Sequence, residues 1–143
     1  MAFGEINNDG NMDIVILNVG NPPTLLIKRT ENTNHRVSFK LVGKKSNRAA
    51  IGARVMITAG KLSTFDEVRA GSSYLSQNDL RIHFGLGEAK KMEKIEVRWL
   101  NGATETLQDI AADASYTIVE GEGIRHIMQL PPVKEKSADA LPK

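Results

Sequence analysis

The sequence predicts an all-β chain, an antiparallel β-sandwich or barrel-like domain, and three observations carry that prediction. Apolar and polar residues alternate with a period of two through several short runs. Gly, Asn and Asp interrupt those runs where tight turns would fall. No long stretch spaces its apolar residues three and four apart, so an amphipathic helix does not compete. With 143 residues the chain can bury one real core.

Taken in order, Ile14-Val15-Ile16-Leu17 is apolar and mostly β-branched, and reads as a buried strand running to Val19. Asn21-Pro22-Pro23 is a turn, and Thr24 to Lys28 is a second strand. Thr30 to Asn34 is polar and without period, which marks it as a domain boundary. Beyond it Val37, Phe39 and Leu41 alternate with Ser38 and Lys40, and Val55 and Ile57 alternate with Arg54, Met56 and Thr58. Ile82 and Phe84 stand against Arg81 and His83; Ile95, Val97 and Trp99 stand against Lys94, Glu96 and Arg98. Tyr116, Ile118 and Glu120 face opposite to Thr117 and Val119 and close the series. Leu107 to Ala114 is expected to make one helical turn at most, too short to change the class. From Arg125 the pattern is lost, and the Pro, Lys and small residues that follow predict a flexible tail on which only Ile127 and Leu130 are able to dock.

Charge excludes more than it suggests. A net charge of +2 with 25% charged residues gives no electrostatic footprint for nucleic acid. Lys44, Lys45, Arg48 and Arg54 form the one notable basic cluster, which reads as a solvated loop. Without cysteine, neither disulfides nor thiol chemistry enter. The longest apolar run is a few residues, too short for a membrane span or a signal peptide.

The most chemical stretch is the N-terminal one, where Glu5, Asn7, Asp9 and Asp13 recur around Gly10 and lead into the apolar run. Oxygen donors at alternate positions beside a glycine are how a short loop wraps a hard cation. An EF-hand would need a carboxylate at position twelve and a helix after it; counted from Glu5, that position is Ile16, and the residues there favour a strand. The predicted Ca²⁺ ligands are therefore Glu5, Asn7, Asp9, Asn11 through its carbonyl, and Asp13, a set of oxygens that suits Ca²⁺ over Zn²⁺. The same composition also suits a plain hairpin turn, since Asn, Asp and Gly tolerate positive φ.

No catalytic constellation emerges. His35, His83 and His126 lie far apart, without the i, i+4 spacing of a helical metal site. Ser72, Ser73 and Ser76 lack the glycines of a nucleophile elbow, and Glu67 with Asp79 has no fold to set a carboxylate separation. The chain is expected not to be an enzyme. In the stretch Arg69 to Asp79, the residues Arg69, Ser72, Ser73, Tyr74, Ser76 and Gln77 offer hydrogen-bonding groups and one aromatic face to a protein or polysaccharide partner. The alternative is a connecting loop whose polar groups serve local backbone and whose Tyr74 packs in the core.

Residues Ala2 to Asn18, "AFGEINNDGNMDIVILN", resemble the FG-GAP (VCBS-type) repeat of integrin-like β-propellers, with Glu5 where that family usually has Asp. "NHRVSFKLVGKKSNRAAIGARVMITAG", "EVRAGSSYLSQNDLRIHFGLGEA" and "IEVRWLNGATETLQDIAADASYTIVEG" resemble the ASPIC/UnbV domain, which typically follows such repeats in secreted proteins, the cartilage acidic protein family among them. The resemblance implies a β-propeller blade fragment with a calcium loop over residues 1–33, an ASPIC/UnbV β-sandwich over 34–123 and the tail over 124–143. It implies a secreted, cell-surface or periplasmic parent protein of which this chain is the C-terminal part, and a calcium-stabilised binding or adhesion module. A propeller cap without a ligand and a carbohydrate-binding module are the alternatives. One blade leaves strand edges open, so homodimerisation through the N-terminal strands is also expected.

Overall fold

A computed structural model describes residues 1–29, 33–72 and 74–132. Among them the strands are β1 (Ala2–Gly4), β2 (Asp13–Ile16), β3 (Thr24–Leu26), β4 (His35–Val42), β5 (Arg54–Ala59), β6 (Leu62–Glu67), β7 (Ile82–Gly87), β8 (Lys91–Arg98), β9 (Thr104–Ala111), β10 (Ala114–Val119) and β11 (Gly123–Gln129). They form three sheets, ordered β1-β2-β3, β11-β10-β4-β7 and β6-β5-β8-β9.

The two four-stranded sheets enclose the core, as the alternation predicts. Val37, Phe39 and Leu41 of β4 and Tyr116 and Ile118 of β10 meet Val55 and Ile57 of β5, Ile95 and Val97 of β8 and Trp99 just beyond it. Phe39 is fully buried, stacked on Tyr116 and edge-on to Phe84, and burying a side chain of that size contributes about 2–3 kcal/mol. One pairing departs from an antiparallel sandwich: β4 and β10 run parallel, with Phe39 opposite Tyr116 and Leu41 opposite Ile118.

Three segments differ from the sequence expectation. Leu107 to Ala114 is not a helical turn: residues up to Ala111 belong to β9, paired along β8, and Ala114 opens β10. Leu107 and Ile110 pack on the core from that strand, so pairing and burial override the local composition. Residues 123–129 form β11 beside β10, and Leu130 is buried, so order reaches further than the predicted tail boundary. Residues 133–143 of that tail lie outside the described residues, as do 30–32 of the predicted boundary. Third, the buried strand expected to run to Val19 ends at Ile16 as β2, with Leu17 and Val19 exposed beyond it; the acidic loop joins β1 to β2, and β3 pairs on the far side of β2.

Candidate functional site: the seam between the acidic loop and the sandwich

The outer face of the β4–β7 sheet carries Arg36, Ser38 and His83, and the acidic loop lies over it. Ser38 points away from the core yet is buried, its Oγ bonded at 2.7 Å to Ser115 Oγ on the neighbouring strand. The loop turns at Gly10, whose φ of +83° is costly for any residue with a Cβ. A Cβ there would also run into the Arg36 side chain, so the glycine allows both the turn and the close approach.

Within the loop, each predicted ligand has a place. Asp13 is buried and accepts from two backbone amides, Lys28 N–H on Oδ1 at 2.9 Å and Ile6 N–H on Oδ2 at 3.0 Å. It therefore ties the loop to the segment after β3. Glu5 is also buried, and its Oε1 accepts from Gly10 N–H. Asp9 Oδ1 accepts from Asn11 N–H at 2.8 Å and Oδ2 from the Asn7 amide at 2.9 Å. Burial opposes ionisation of Asp9, but those bonds and the nearby Arg36 charge hold its pKa below the usual carboxylate value.

Two arginines from the sandwich grip this loop. Arg81 Nη1 lies 3.2 Å from Glu5 Oε2, and Nη2 donates to the Glu5 carbonyl at 3.1 Å. Nη1 also donates to Asn8 Oδ1 at 3.3 Å. Asp79 holds the guanidinium from behind, accepting from Nε at 2.8 Å with Nη2 at 2.6 Å. Burial alone would raise the Asp79 pKa and lower that of Arg81, yet their mutual bonds reverse both shifts, so the pair is charged at any ordinary pH. Arg36 Nη2 donates to the Asp9 carbonyl at 2.6 Å and to the Pro131 carbonyl at 3.1 Å.

The seam extends to the edge of β1. Phe3 N–H donates to Asn78 Oδ1 at 3.0 Å, Asp79 N–H donates to the Phe3 carbonyl at 2.8 Å, and Ser76 Oγ donates to the Met1 carbonyl at 2.7 Å. The 76–79 stretch thus covers an edge strand, the usual hazard of a short sheet. Glu5 Oε2, Arg36 Nε and His83 Nε2 are buried without hydrogen-bond partners, and all three lie along this seam. Clefts of about 300 Å³ and 370 Å³ flank it, and His83 lines both. Burial lowers the His83 pKa although Asp79 Oδ2 stands 4.0 Å from Nε2.

The chemistry of Glu5, Asn7, Asp9, Asn11 and Asp13 suits Ca²⁺, but their arrangement serves backbone amides and Arg81. Among the described residues no three His, Cys, Asp or Glu side chains are grouped. In the 69–79 loop most polar groups are also spent internally. Ser72 Oγ accepts from the Asn78 amide, and Gln77 bonds the backbone of Gly71, Arg69 and Asn78. Arg69 faces Asp66 at 3.5 Å. Tyr74 is 87% exposed instead of packing in the core, and Ser73 lies outside the described residues.

The paired carboxylates weighed from sequence are separately engaged, Glu67 by Arg54 Nε and Asp79 by Arg81. His35 does have a carboxylate partner, Asp113 Oδ2 at 2.6 Å from Nδ1, although the two stand 78 residues apart. Asp113 also accepts from Arg36 N–H, so the pair pins the start of β4 to the β9–β10 turn.

The family described as ASPIC and UnbV matches residues 43–125, more than half of the chain. The chain belongs to the ASPIC and UnbV family. The matched span runs from the loop after β4 to the first residues of β11 and contains Arg81, Asp79 and Asp113. The acidic loop and Arg36 precede it, yet Arg36 lies on β4 of the same sandwich, so the sandwich supplies both arginines of the seam and the matched span one of them. No curated protein matches the chain.

Arg36, Arg81 and Asp113 were not singled out by the sequence, and Asp79 only as a carboxylate beside Glu67. Each is an ordinary charged residue in a strand or turn, and the groups they meet across the seam stand 27 to 95 residues away, although Asp79 and Arg81, which hold each other, are two apart.

Proposed function

We propose that this chain is a non-catalytic structural and binding module, in which the ASPIC/UnbV sandwich fastens an FG-GAP-like acidic-loop sheet and covers its β1 edge, as the C-terminal part of an extracellular propeller-type protein. The supporting observation is the Arg81 clamp, which joins the Glu5 carboxylate, the Glu5 carbonyl and Asn8 to Asp79 of the sandwich. Hydrogen exchange on Arg81→Met tests it. Amides of residues 2–16 should lose protection while β5 and β8 keep theirs, and unchanged protection of residues 2–16 would reject the clamp.

A second reading is a calcium-dependent binding or adhesion module, favoured by the buried Glu5 Oε2 that no hydrogen bond satisfies. Ca²⁺ would draw Glu5 away from Arg81 and toward Asp9 and Asp13. Thermal melts in EGTA and with about 5 mM Ca²⁺, a range suited to extracellular modules, decide it. A rise in Tm that Asp9→Ala removes supports the ion; equal midpoints leave Arg81 as the cation of this loop.

A further inference from the structure

The outer face of the β6-β5-β8-β9 sheet is the side of the sandwich turned away from the core, and register sets its side chains in rows. Glu67, Arg54, Arg98 and Thr104 form one row; Phe65, Met56, Glu96 and Thr106 form the next. Arg54 and Arg98 are thus directly opposite on neighbouring strands. Like charges so placed destabilise a sheet unless an anion lies between them. Among the described residues Glu67 Oε2 engages Arg54 at Nε, 2.8 Å away, and no partner takes the Arg54 Nη groups. Arg98 is exposed and has no hydrogen-bond or ion-pair partner among the described residues.

The two guanidinium groups line a cleft of about 380 Å³ with Gly52, Glu67, Trp99 and Leu100. Trp99 beside it is buried and bonded through Nε1 to Glu105 Oε1 at 2.6 Å. Leu100 is 63% exposed on the rim. A Cβ on Gly52 would come within 3.0 Å of Leu100 Cδ1, so the glycine keeps the cleft open. Further along the face, Phe65 and Met56 add exposed apolar surface.

We propose that Arg54 and Arg98 form a binding site for a carboxylate on an acidic, apolar-flanked peptide segment of a protein partner. Two arginines at paired positions on neighbouring strands, both lining one cleft, suit capture of a carboxylate, since each guanidinium offers a planar fork of donors. Leu100, Phe65 and Met56 take the neighbouring apolar side chains. Glu67 and Glu96 lie on the same face and repel a densely charged polyanion, so the charge pattern favours a single carboxylate over a sulfated glycan.

Titration of the whole ¹⁵N-labelled chain with acetylated, amidated Leu-Glu-Leu, followed through the Arg54 and Arg98 Nε–H and Trp99 indole signals, tests the site. The expected result is saturable movement of these signals with a Kd on the order of 1 mM, as one charge-assisted contact on an open face allows. Arg98→Ala, and the Leu-Gln-Leu peptide on the parent chain, should each weaken binding about tenfold. Arg98→Lys should recover part of it, and added salt should weaken it. No saturable movement, equal binding of Leu-Gln-Leu, or equal binding by a folded Arg98→Ala chain would overturn the proposal. Tighter binding of a heparin-derived tetrasaccharide at the same signals would overturn it in favour of a sulfated glycan.

Discussion

Glu5 Oε2 lies 3.2 Å from Arg81 Nη1, and the Glu5 side chain has no exposure to solvent. A carboxylate so buried is tolerable only while a cation faces it. Arg81→Met should therefore destabilise the chain by about 3 kcal/mol, because it strands Glu5 without a counter-charge. Adding Glu5→Gln should recover part of that loss, since the stranded charge is then gone. Urea unfolding of the parent, both single variants and the double variant gives the coupling directly.

Glu120 predicts the acid limit of the sandwich. It is buried, and Oε2 accepts from three successive amides, Lys44, Lys45 and Ser46, each at 2.8 Å, while Oε1 accepts from the Asn101 amide at 2.6 Å. Burial opposes ionisation, yet these donors lower the pKa from 4.5 to about 2. The folded value lies below the unfolded one, so the contribution is complete above pH 4.5 and is lost as pH falls toward 2. Glu120→Gln should lower the melting midpoint at pH 7 and flatten its dependence between pH 4.5 and 2, which melts across that range would show.

Much of the sandwich was legible in the sequence, because a strand buried on one face must alternate, and Val37-Phe39-Leu41, Val55-Ile57 and Ile95-Val97-Trp99 do so. β6 and β9 were illegible for the converse reason. Leu62, Leu107 and Ile110 are only partly buried, and Ser, Thr, Asp, Glu and Gln fill most other positions. The acidic loop was legible as a set of residues, though not as an arrangement. Asn and Asp near a glycine announce a turn, but which carboxylate oxygen meets which amide depends on Lys28, and which charge meets Glu5 depends on Arg81. Neither dependence leaves a local pattern.

Gly10→Ala should act through Arg36. At φ +83° a Cβ is strained by about 1–2 kcal/mol, and it would also displace the Arg36 side chain that donates to the Asp9 and Pro131 carbonyls. The expected loss is larger than strain alone. In an Arg36→Ala background the same substitution should cost less, the strain and the close approach to Leu130 Cδ1 alone, so chemical unfolding of the two singles and the double separates the Arg36 contribution.

Asp13 and Asp9 were both predicted as ion ligands, and the structure sets them apart. Asp13 uses one oxygen for Lys28 N–H and the other for Ile6 N–H, so Asp13→Asn must turn an amide NH₂ against one of these donors. That conflict should cost about 1–3 kcal/mol, with or without Ca²⁺. Among the described residues the Asp9 carboxylate bonds within the loop, to Asn11 N–H and the Asn7 amide, and Asp9→Ala should cost less than about 1 kcal/mol in EGTA. If the loop takes an ion, the Asp9→Ala loss grows with added Ca²⁺, because only the parent gains binding energy. Unfolding of both variants in EGTA and in Ca²⁺ thus separates the carboxylate that builds the turn from the one whose effect reports an ion.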